Sequence, residues 1–475
     1  MTTSATARTE DDPASDEGES VRRRGGLQVL GDFAASFHPR SLPPMLRANY
    51  GRELLSWAFL PVMLGVVEGG TVSIVVKKHF AGLEGVGESP LNFAVAAVTA
   101  APAMANIFSF AWAGLAHGRS KVPFIAGLQL ATAALVMLLG FAPRSLLGLV
   151  LFTTGVILAR VCWSGVVTIR TSVWRANYPH ADRARIAGKM ATVQAMVLAG
   201  TGFAAGWALD ASPKAFVVIF PAAAVFGLVG TSIYRRVRLR GQRRLARAER
   251  NGRREERPTL NPMSVVQVLR EDPAYRRYMA WMMIFGLGNL MLFAPLAISI
   301  EDRLGVSYAE GIVATAVIPL LAMPIAIPLW ARLLSTRHVI EFRSLHGWSF
   351  VTASLLLFAA SGAASYPLYC LATACLGVGF AGGVLAWNLG HHDFAPDHRD
   401  GHYMGVHVTL TGLRGIVAPF LAVGLYQWFT RMGIGPAFFL VCTAANLVGI
   451  SGFIRMARER RRLASSDDAT TKTRT

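Results

Sequence analysis

Three charged side chains inside long apolar stretches of the sequence stand out as candidates for chemistry: Glu68, Arg160 and Arg414. A charged group at the depth of lipid hydrocarbon is costly, so it usually faces a cavity, an ion path or a partner charge. A guanidinium group can bind a carboxylate or phosphate through two parallel hydrogen bonds, and it stays charged at any working pH. Arg160 and Arg414 are therefore candidates for binding an anionic substrate. In the structural alternative, Glu68 neutralises Arg160 and helix carbonyl groups satisfy Arg414.

Glu68 is the main candidate for a proton-coupling group. Burial favours a neutral carboxyl group, whereas a neighbouring arginine favours the carboxylate. The sequence leaves open whether Glu68 exchanges protons or forms a static ion pair with Arg160. His407 is a second candidate, because it lies in the same apolar stretch as Arg414, two helical turns before it. It either lines the same route or bonds a neighbouring carbonyl group.

Amide and indole side chains within the apolar stretches could orient a substrate through hydrogen bonds and stacking. The candidates for substrate binding are Trp163, which lies close to Arg160, Asn289, and Asn388 with its neighbour Trp387. The alternative is packing between helices, where a polar group contributes about 1 kcal/mol.

Histidine and aspartate residues cluster between positions 391 and 407. Such side chains could bind a transition metal or move protons. Their spacings match no closed zinc pattern. We therefore predict a solvated polar loop, with no metal and no cofactor. The cluster comprises His391, His392, Asp393, Asp397, His398, Asp400, His402 and His407.

Twelve apolar stretches must position these groups. About 20 apolar residues span the hydrocarbon core of a bilayer, and the backbone there must satisfy its own hydrogen bonds, so each stretch is predicted to be a membrane helix. The composition agrees, since 53% of the 475 residues are hydrophobic and only 16% are charged. The sequence thus predicts an all-α membrane protein. The predicted spans are 53–77, 91–115, 122–142, 145–171, 186–209, 214–233, 276–300, 308–332, 340–361, 366–390, 403–429 and 435–456.

Basic residues are concentrated in alternate loops and near the ends of the chain. Their distribution predicts that both termini are cytoplasmic. The net charge of +19 is explained in this way, so nucleic-acid binding is not expected. Residues 234–275, between the sixth and seventh spans, form a basic linker, which is predicted to be a charged helix next to anionic lipid headgroups. The predicted organisation is a disordered tail (1–48, with an interfacial piece at 27–37), a bundle (49–233), the linker (234–275), a second bundle (276–457) and a tail (458–475).

An internal repeat relates the two sets of six spans. A shift of 217 residues aligns Gly165 with Gly382 and Gly188 with Gly405, and it also aligns Pro179 with Pro396. These positions frame the fourth to fifth and the tenth to eleventh spans. Together with the order of the spans, they favour two duplicated halves.

Residues 50–457 resemble the major facilitator superfamily of secondary transporters. The loop after the second span is similar to the family's inner-loop signature: Gly114, Gly118, Arg119 and Lys121 fit, but the signature's aspartate is absent. The segment 330–338 is a weaker counterpart. The resemblance implies two pseudo-symmetric six-helix bundles, with the helices of Glu68 and Arg160 lining a central cavity. The missing aspartate implies that the conformational latch attributed to it differs in this chain.

These features predict a secondary transporter of a small solute, an organic or inorganic anion, that works by alternating access. Proton coupling stays open. The alternatives are an exporter of a hydrophobic or cationic compound and a non-transporting membrane receptor. An enzyme is not expected, because the sequence has no nucleotide-binding loop, no H-E-x-x-H and no G-x-S-x-G. We expect a monomer in the plasma membrane.

Overall fold

The computed structural model describes residues 35–251, 262–391, 393–395 and 400–472, except for a few side chains among them. The chain divides into two units, residues 1–51 and 52–475. In the first unit a 3-10 turn, Pro39–Ser41, precedes a helix that begins at Pro44, inside the range 1–48 assigned above to a tail. The Tyr50 hydroxyl donates to the Phe37 carbonyl oxygen at 3.0 Å. Most of the tail, and the interfacial piece expected at 27–37 up to residue 34, lie outside the described residues.

All regular elements in the described ranges are helical, and twelve segments are long and apolar enough to cross a membrane, which confirms the predicted number. The first six spans consist of α1 (Pro44–Gly65) with α2 (Gly69–His79), α3 (Glu88–Ala105) with α4 (Ser109–Ala116), α5 (Lys121–Leu139), α6 (Leu146–Asn177), α7 (His180–Ala211) and α8 (Ala215–Tyr234). The linker contains α9 (Gln242–Asn251) and α10 (Pro262–Glu271).

The last six spans resemble the first six, because in both sets the first two spans consist of two helical pieces. They consist of α11 (Pro273–Leu290) with α12 (Phe293–Leu304), α13 (Tyr308–Ile312) with α14 (Ile318–Thr336), α15 (Val339–His346) with α16 (Trp348–Ala363), α17 (Tyr366–Leu389), α18 (Asp400–Arg431) and α19 (Phe438–Lys472). Helix α19 continues through most of the range that the sequence analysis assigned to the C-terminal tail.

Within residues 52–475, the spans form two related six-helix bundles. One pair of hydrogen bonds illustrates the relationship. In the first bundle, the Trp112 indole donates to the Val161 carbonyl oxygen at 2.8 Å and joins the second span to the fourth. In the second bundle, Trp330 donates to the Val378 carbonyl oxygen at 2.8 Å and joins the eighth span to the tenth. The structure thus agrees with the pseudo-symmetric halves predicted from the repeat.

The first, second, seventh, eighth and ninth spans are interrupted, the ninth at Gly347. The first span breaks between α1 and α2, and the seventh between α11 and α12. The second passes through a 3-10 turn, Asn106–Phe108, and the eighth through a π-helical turn, Val313–Val317. Gly69 and Gly70 directly follow the first break, and Pro102 and Pro295 lie near two others. Membrane helices tolerate such breaks where the freed backbone groups find partners or line a cavity.

Candidate functional site

A cavity of about 420 Å³ lies between the two bundles, and residues at or next to the breaks of the first, second, seventh and eighth spans line it. Most of its wall is apolar and includes the rings of Phe293 and Phe380. Glu68 is the one ionisable side chain among the described residues that line it. The other wall residues are Gly69, Gly70, Thr99, Ala100, Pro102, Ala103, Asn106, Leu290, Thr315, Ala316, Pro319, Leu320, Met323, Val384, Gly415 and Pro419.

Glu68 and Arg160 form an ion pair at the edge of this cavity. Glu68 has an extended backbone (φ −67°, ψ 139°) and is the N-cap of α2, immediately after the break. The break leaves the Val67 carbonyl oxygen outside a helical ladder, and the Nε and Nη2 of Arg160 donate to it at 3.1 and 2.8 Å. Nη2 also lies 2.7 Å from Oε2 of Glu68. The guanidinium therefore holds both the broken backbone and the carboxylate.

The two members of this pair differ in their access to the cavity. The Arg160 side chain is 9% exposed, whereas that of Glu68 is 28% exposed. Arg160 is not part of the cavity wall, and Glu68 is. A solute in the cavity would therefore meet the carboxylate first.

Arg414 and His407 lie inside the second bundle and are not part of the cavity wall, although Gly415 is. Nη1 of Arg414 donates to the Met282 carbonyl oxygen at 2.6 Å, and Nη2 donates to the Thr411 hydroxyl at 3.3 Å. The His407 ring lies 6.0 Å from that of Trp387. The structure thus places Arg414 on a carbonyl group, as in the structural alternative considered above.

Two of the remaining candidates for substrate binding, Trp163 and Asn289, are not part of the cavity wall. Trp163 is 6% exposed, and its ring packs 6.0 Å from that of Trp57. Asn289 precedes the wall residue Leu290 but is itself not part of the wall. Asn388 belongs to α17, and its side chain lies outside the described residues.

The histidine and aspartate cluster is only partly described. His338 lies 3.8 Å from Asp393, and the Asp393 carboxylate accepts the Val339 N–H at 2.6 Å. Within the described ranges, no group of three His, Cys, Asp or Glu side chains could hold a metal ion. His392, Asp397 and His398 lie outside those ranges, as do the side chains of Asp400 and His402.

Two ion pairs join the bundles at the end of the molecule where α2 ends and α13 begins. Lys78 lies 2.8 Å from Glu301 and also donates to the Val306 carbonyl oxygen at 2.6 Å. Lys77 lies 2.8 Å from Asp302. Among the described residues, ion pairs between the two bundles occur only at this end.

Asp210 adds further hydrogen bonds between the two bundles at the same end of the molecule. Its carboxylate, at the end of α7, accepts the N–H groups of Tyr308 and Ala309 at 2.7 and 2.8 Å. These are free donors in the first turn of α13, where a negative charge is stabilised. We refer to Lys77, Lys78, Asp210, Glu301 and Asp302 as the bundle lock.

Comparison with known proteins agrees with this architecture. The family model described as Major Facilitator Superfamily matches residues 55–419. The chain belongs to the Major Facilitator Superfamily. No curated protein sequence matches the chain.

Solved Major Facilitator Superfamily transporters share its fold at low sequence identity. The nucleoside transporter NupG is 13% identical, with a TM-score of 0.60 over 85% of this chain and 98% of its own. A D-xylose-proton symporter is 14% identical, with a TM-score of 0.63 over 86% and 96%. The POT family transporter PepTSo is 12% identical, with a TM-score of 0.63 over 87% and 98%. At this identity the likeness establishes the fold.

The loop that resembles the superfamily's inner-loop signature contacts the linker. Gly118 has a positive φ of 70°, which favours glycine. Its N–H donates to the Glu249 carboxylate at 2.6 Å, and the Lys121 ammonium lies 2.7 Å from the same oxygen. Arg119 lies 5.9 Å from the ring of Phe124, and the Gly114 carbonyl oxygen accepts the His117 N–H at 3.2 Å.

A buried carboxylate that the sequence analysis missed lies in the first bundle. Glu53 is 1% exposed and accepts hydrogen bonds from the Trp174 indole at 2.6 Å and from the Tyr178 hydroxyl at 2.9 Å. The Arg170 guanidinium lies 3.9 Å from the ring centroid of Trp57. Glu53 was the first residue of one predicted span, and Arg170 was nearly the last residue of another. Charged residues are common at the ends of spans, so neither position indicated a buried site.

The uncharged polar residues of the cavity wall were also missed. Thr99 and Asn106 are seven residues apart and therefore share one face of the second span. Thr315, in the π-helical turn, donates to the Gly70 carbonyl oxygen at 2.9 Å and links the bundles beside the cavity. The spacing of Thr99 and Asn106 could have indicated a shared polar face, whereas no local sequence feature predicts that Thr315 lines the cavity.

Proposed function

We propose that this superfamily member is a proton-coupled secondary transporter of a small, largely apolar organic solute with a cationic or hydrogen-bond-donating group. The observation that supports this most directly is the cavity wall. Among the described residues there, Glu68 is the one ionisable side chain, and most of its neighbours are apolar or aromatic. Apolar walls with a few polar groups are typical of small-molecule sites. The proposal therefore favours a hydrophobic or cationic compound over the anion that the sequence analysis placed first.

Competition for Glu68 provides a coupling mechanism. In the ion pair, the carboxylate is bound to Arg160 on one side and faces the cavity on the other. A proton on Glu68, or a donor group of the solute, competes with Arg160 for the same oxygen atoms. Arg160 keeps its two bonds to the Val67 carbonyl oxygen, so the broken span stays held while the carboxylate exchanges partners.

Alternating access would proceed by rocking of the two bundles about the cavity. If both termini are cytoplasmic, as the loop charges predict, the bundle lock closes the outer side and the structure is an inward-facing state. Opening outward would then break the bonds of Lys78 and Asp210.

An organic or inorganic anion is the second candidate for the solute. Protonation of Glu68 would release one nitrogen of Arg160 next to the cavity, and a guanidinium binds carboxylate or phosphate well. The two candidates differ in the sign of charge that the cavity prefers.

A pair of ions with the same shape and opposite charge tests that sign. We expect tetraphenylphosphonium to raise the melting temperature of the purified full-length protein more than tetraphenylborate does. Glu68→Gln should remove the difference, and Glu84→Gln, in an exposed loop, should keep it. A preference for tetraphenylborate that Arg160→Gln abolishes would instead support the anion candidate.

Proton coupling is tested in proteoliposomes that contain a pH-sensitive dye. Addition of a solute identified by the binding assay should move protons across the membrane in the wild type and in Glu84→Gln, but not in Glu68→Gln. Binding without any flux of solute would favour the receptor alternative. Solute flux without proton movement would exclude coupling.

Anionic lipids are proposed as partners of the linker, in a monomer of the plasma membrane. Arg243, Arg247 and Arg250 follow each other at helical spacing on α9 and line, with Ser120, a pocket of about 420 Å³. Basic side chains near a membrane attract anionic headgroups with about 1 kcal/mol each. Nanodiscs with phosphatidylglycerol should therefore stabilise the protein more than nanodiscs of phosphatidylcholine alone, and replacing the three arginines by glutamine should remove that difference.

A further inference from the structure

Three nitrogen-bearing side chains are buried together in the second bundle, away from the cavity wall. Arg343, on α15, is 3% exposed; His407 and Arg414, on α18, are 2% and 7% exposed. The charges of Arg343 and Arg414 act on each other and on His407. Three different side chains from two spans therefore present polar groups to one interior region.

Each of the three carries a buried nitrogen atom without a hydrogen-bond partner. These atoms are Nε of Arg343, Nε of Arg414 and Nε2 of His407. A buried donor that has lost its water and gained no acceptor is unfavourable, and the great majority of such groups are satisfied in folded proteins. The two arginine Nε–H groups are donors, and Nε2 of His407 is a donor in one of the two neutral tautomers. Together the three nitrogens indicate an acceptor that the described residues do not supply.

The described residues also leave the charges in this region uncompensated. Glu68 neutralises Arg160 in the first bundle, but within the described residues no carboxylate forms an ion pair with Arg343 or Arg414. Arg414 has the Met282 carbonyl oxygen and the Thr411 hydroxyl as partners, both of which are uncharged. Like charges that are buried together repel each other strongly unless an anion lies between or beside them.

We propose that Arg343, His407 and Arg414 form a binding site for a small monovalent inorganic anion, with chloride as the first candidate. The packing limits the size of the ligand, because the Arg414 guanidinium lies directly against Gly286 and leaves no room even for a methyl group there. A single halide ion accepts several N–H groups at once without needing the space of a phosphate. This ion site is separate from the solute cavity and does not depend on which solute that cavity carries.

The first experiment measures the melting temperature of the purified full-length protein in sodium chloride and in sodium gluconate at equal ionic strength. A saturable rise is expected in chloride only, because a ligand that binds the folded state stabilises it by mass action. Arg343→Gln and Arg414→Gln should each weaken the apparent chloride affinity by at least about tenfold. Arg332→Gln, at an exposed position on α14, should respond like the wild type.

A second measurement does not require an arginine variant to fold. Bromide quenches indole fluorescence on contact, and the Trp387 ring lies 6.0 Å from that of His407. Saturable quenching is expected in the wild type, with the same concentration dependence as the thermal response to bromide. Trp387→Phe should lose this component.

Three results would overturn the proposal. Equal melting temperatures in chloride and gluconate without saturable quenching would show that no halide binds. A chloride response that both Arg343→Gln and Arg414→Gln retain would place the ion elsewhere. A response that appears only in Asp397→Asn or Asp400→Asn would show that the chain's own carboxylates occupy the site.

Discussion

The carboxylate of Glu249 lies 2.7 Å from the ammonium group of Lys121, although 128 residues separate them in the chain. Lys121 begins the third span, and Glu249 belongs to the linker helix α9. The same carboxylate accepts the Gly118 N–H at 2.6 Å, and Arg250 donates back to the Gly118 carbonyl oxygen at 2.9 Å. These reciprocal bonds attach the linker to the first bundle.

This attachment bears on the aspartate that is missing from the inner-loop signature. The loop 114–121 contains no acidic residue, yet its basic end and its backbone donors at Gly118 contact a carboxylate. That carboxylate comes from the linker, with Lys121 5% and Glu249 19% exposed. The ionic partner of this loop is therefore a residue of the linker.

Glu249→Gln should loosen the linker. The substitution removes the charge that holds Lys121, and a hydrogen bond to a charged group contributes about 1.5–3 kcal/mol. Trypsin should therefore cleave the arginine-rich linker about tenfold faster in this variant. Glu271→Gln, on α10, is the matched control. Equal cleavage rates in wild type and Glu249→Gln would show that the attachment does not protect the linker.

Arg160→Gln should destabilise the protein more than Glu68→Gln does. Removing the guanidinium leaves both the Val67 carbonyl oxygen and the Glu68 carboxylate without a partner, whereas Glu68→Gln leaves Arg160 with its two bonds to Val67. Each buried group left unsatisfied costs about 1–3 kcal/mol. Melting temperatures in detergent show which of the two variants is less stable. The reverse order would mean that Arg160 does not hold the broken span.

Much of the fold follows from the sequence, because the constraints that produce it are local. A run of apolar residues long enough to cross a bilayer must be helical, and this alone predicted all twelve spans. The repeat of Gly165 at Gly382 indicated two related halves. Gly69 and Pro295 lie next to two of the breaks, but which residues of the broken spans line the cavity depends on how the spans pack.

The site was harder to predict, since its chemistry depends on contacts between distant residues. Glu68 and Arg160 were recognised as unusual charges, and their pairing was one of two alternatives. The position of Arg414 on the Met282 carbonyl oxygen depends on the packing of α11 against α18. The lock residues Lys78 and Asp210 lie at ends of spans, where charged residues are expected and carry no signal.

Gly70→Ala should push the first and eighth spans apart. An added Cβ would overlap the Thr315 carbonyl group and would lie 2.9 Å from the Ala316 Cβ. Overpacking of this kind costs about 1–3 kcal/mol, so the melting temperature should fall. Gly424→Ala is the matched control, because a Cβ there meets no atom within 4 Å. A Gly70→Ala protein as stable as the control would show that this approach of the spans is not needed for folding.

Breaking the bundle lock should expose the cavity at the end where α2 ends. Lys78→Ala removes the bonds to Glu301 and to the Val306 carbonyl oxygen, and Asp210→Ala removes the partner of two backbone N–H groups on α13. Each change removes hydrogen bonds to a charged group, which contribute about 1.5–3 kcal/mol each. The equilibrium should therefore move at least about tenfold toward the state that is open at this end.

A cysteine at position 315, in the cavity wall, reports this change. In a background with the four native cysteines replaced by serine, a membrane-impermeant maleimide added to intact cells should label Thr315→Cys faster when Lys78→Ala or Asp210→Ala is present. Lys214→Ala, exposed at the same end of the bundle, should leave the rate unchanged. With both termini cytoplasmic, as the loop charges predict, the reagent reaches the cavity only through that end. If both lock variants fold and label at the control rate, the lock does not hold the two bundles closed.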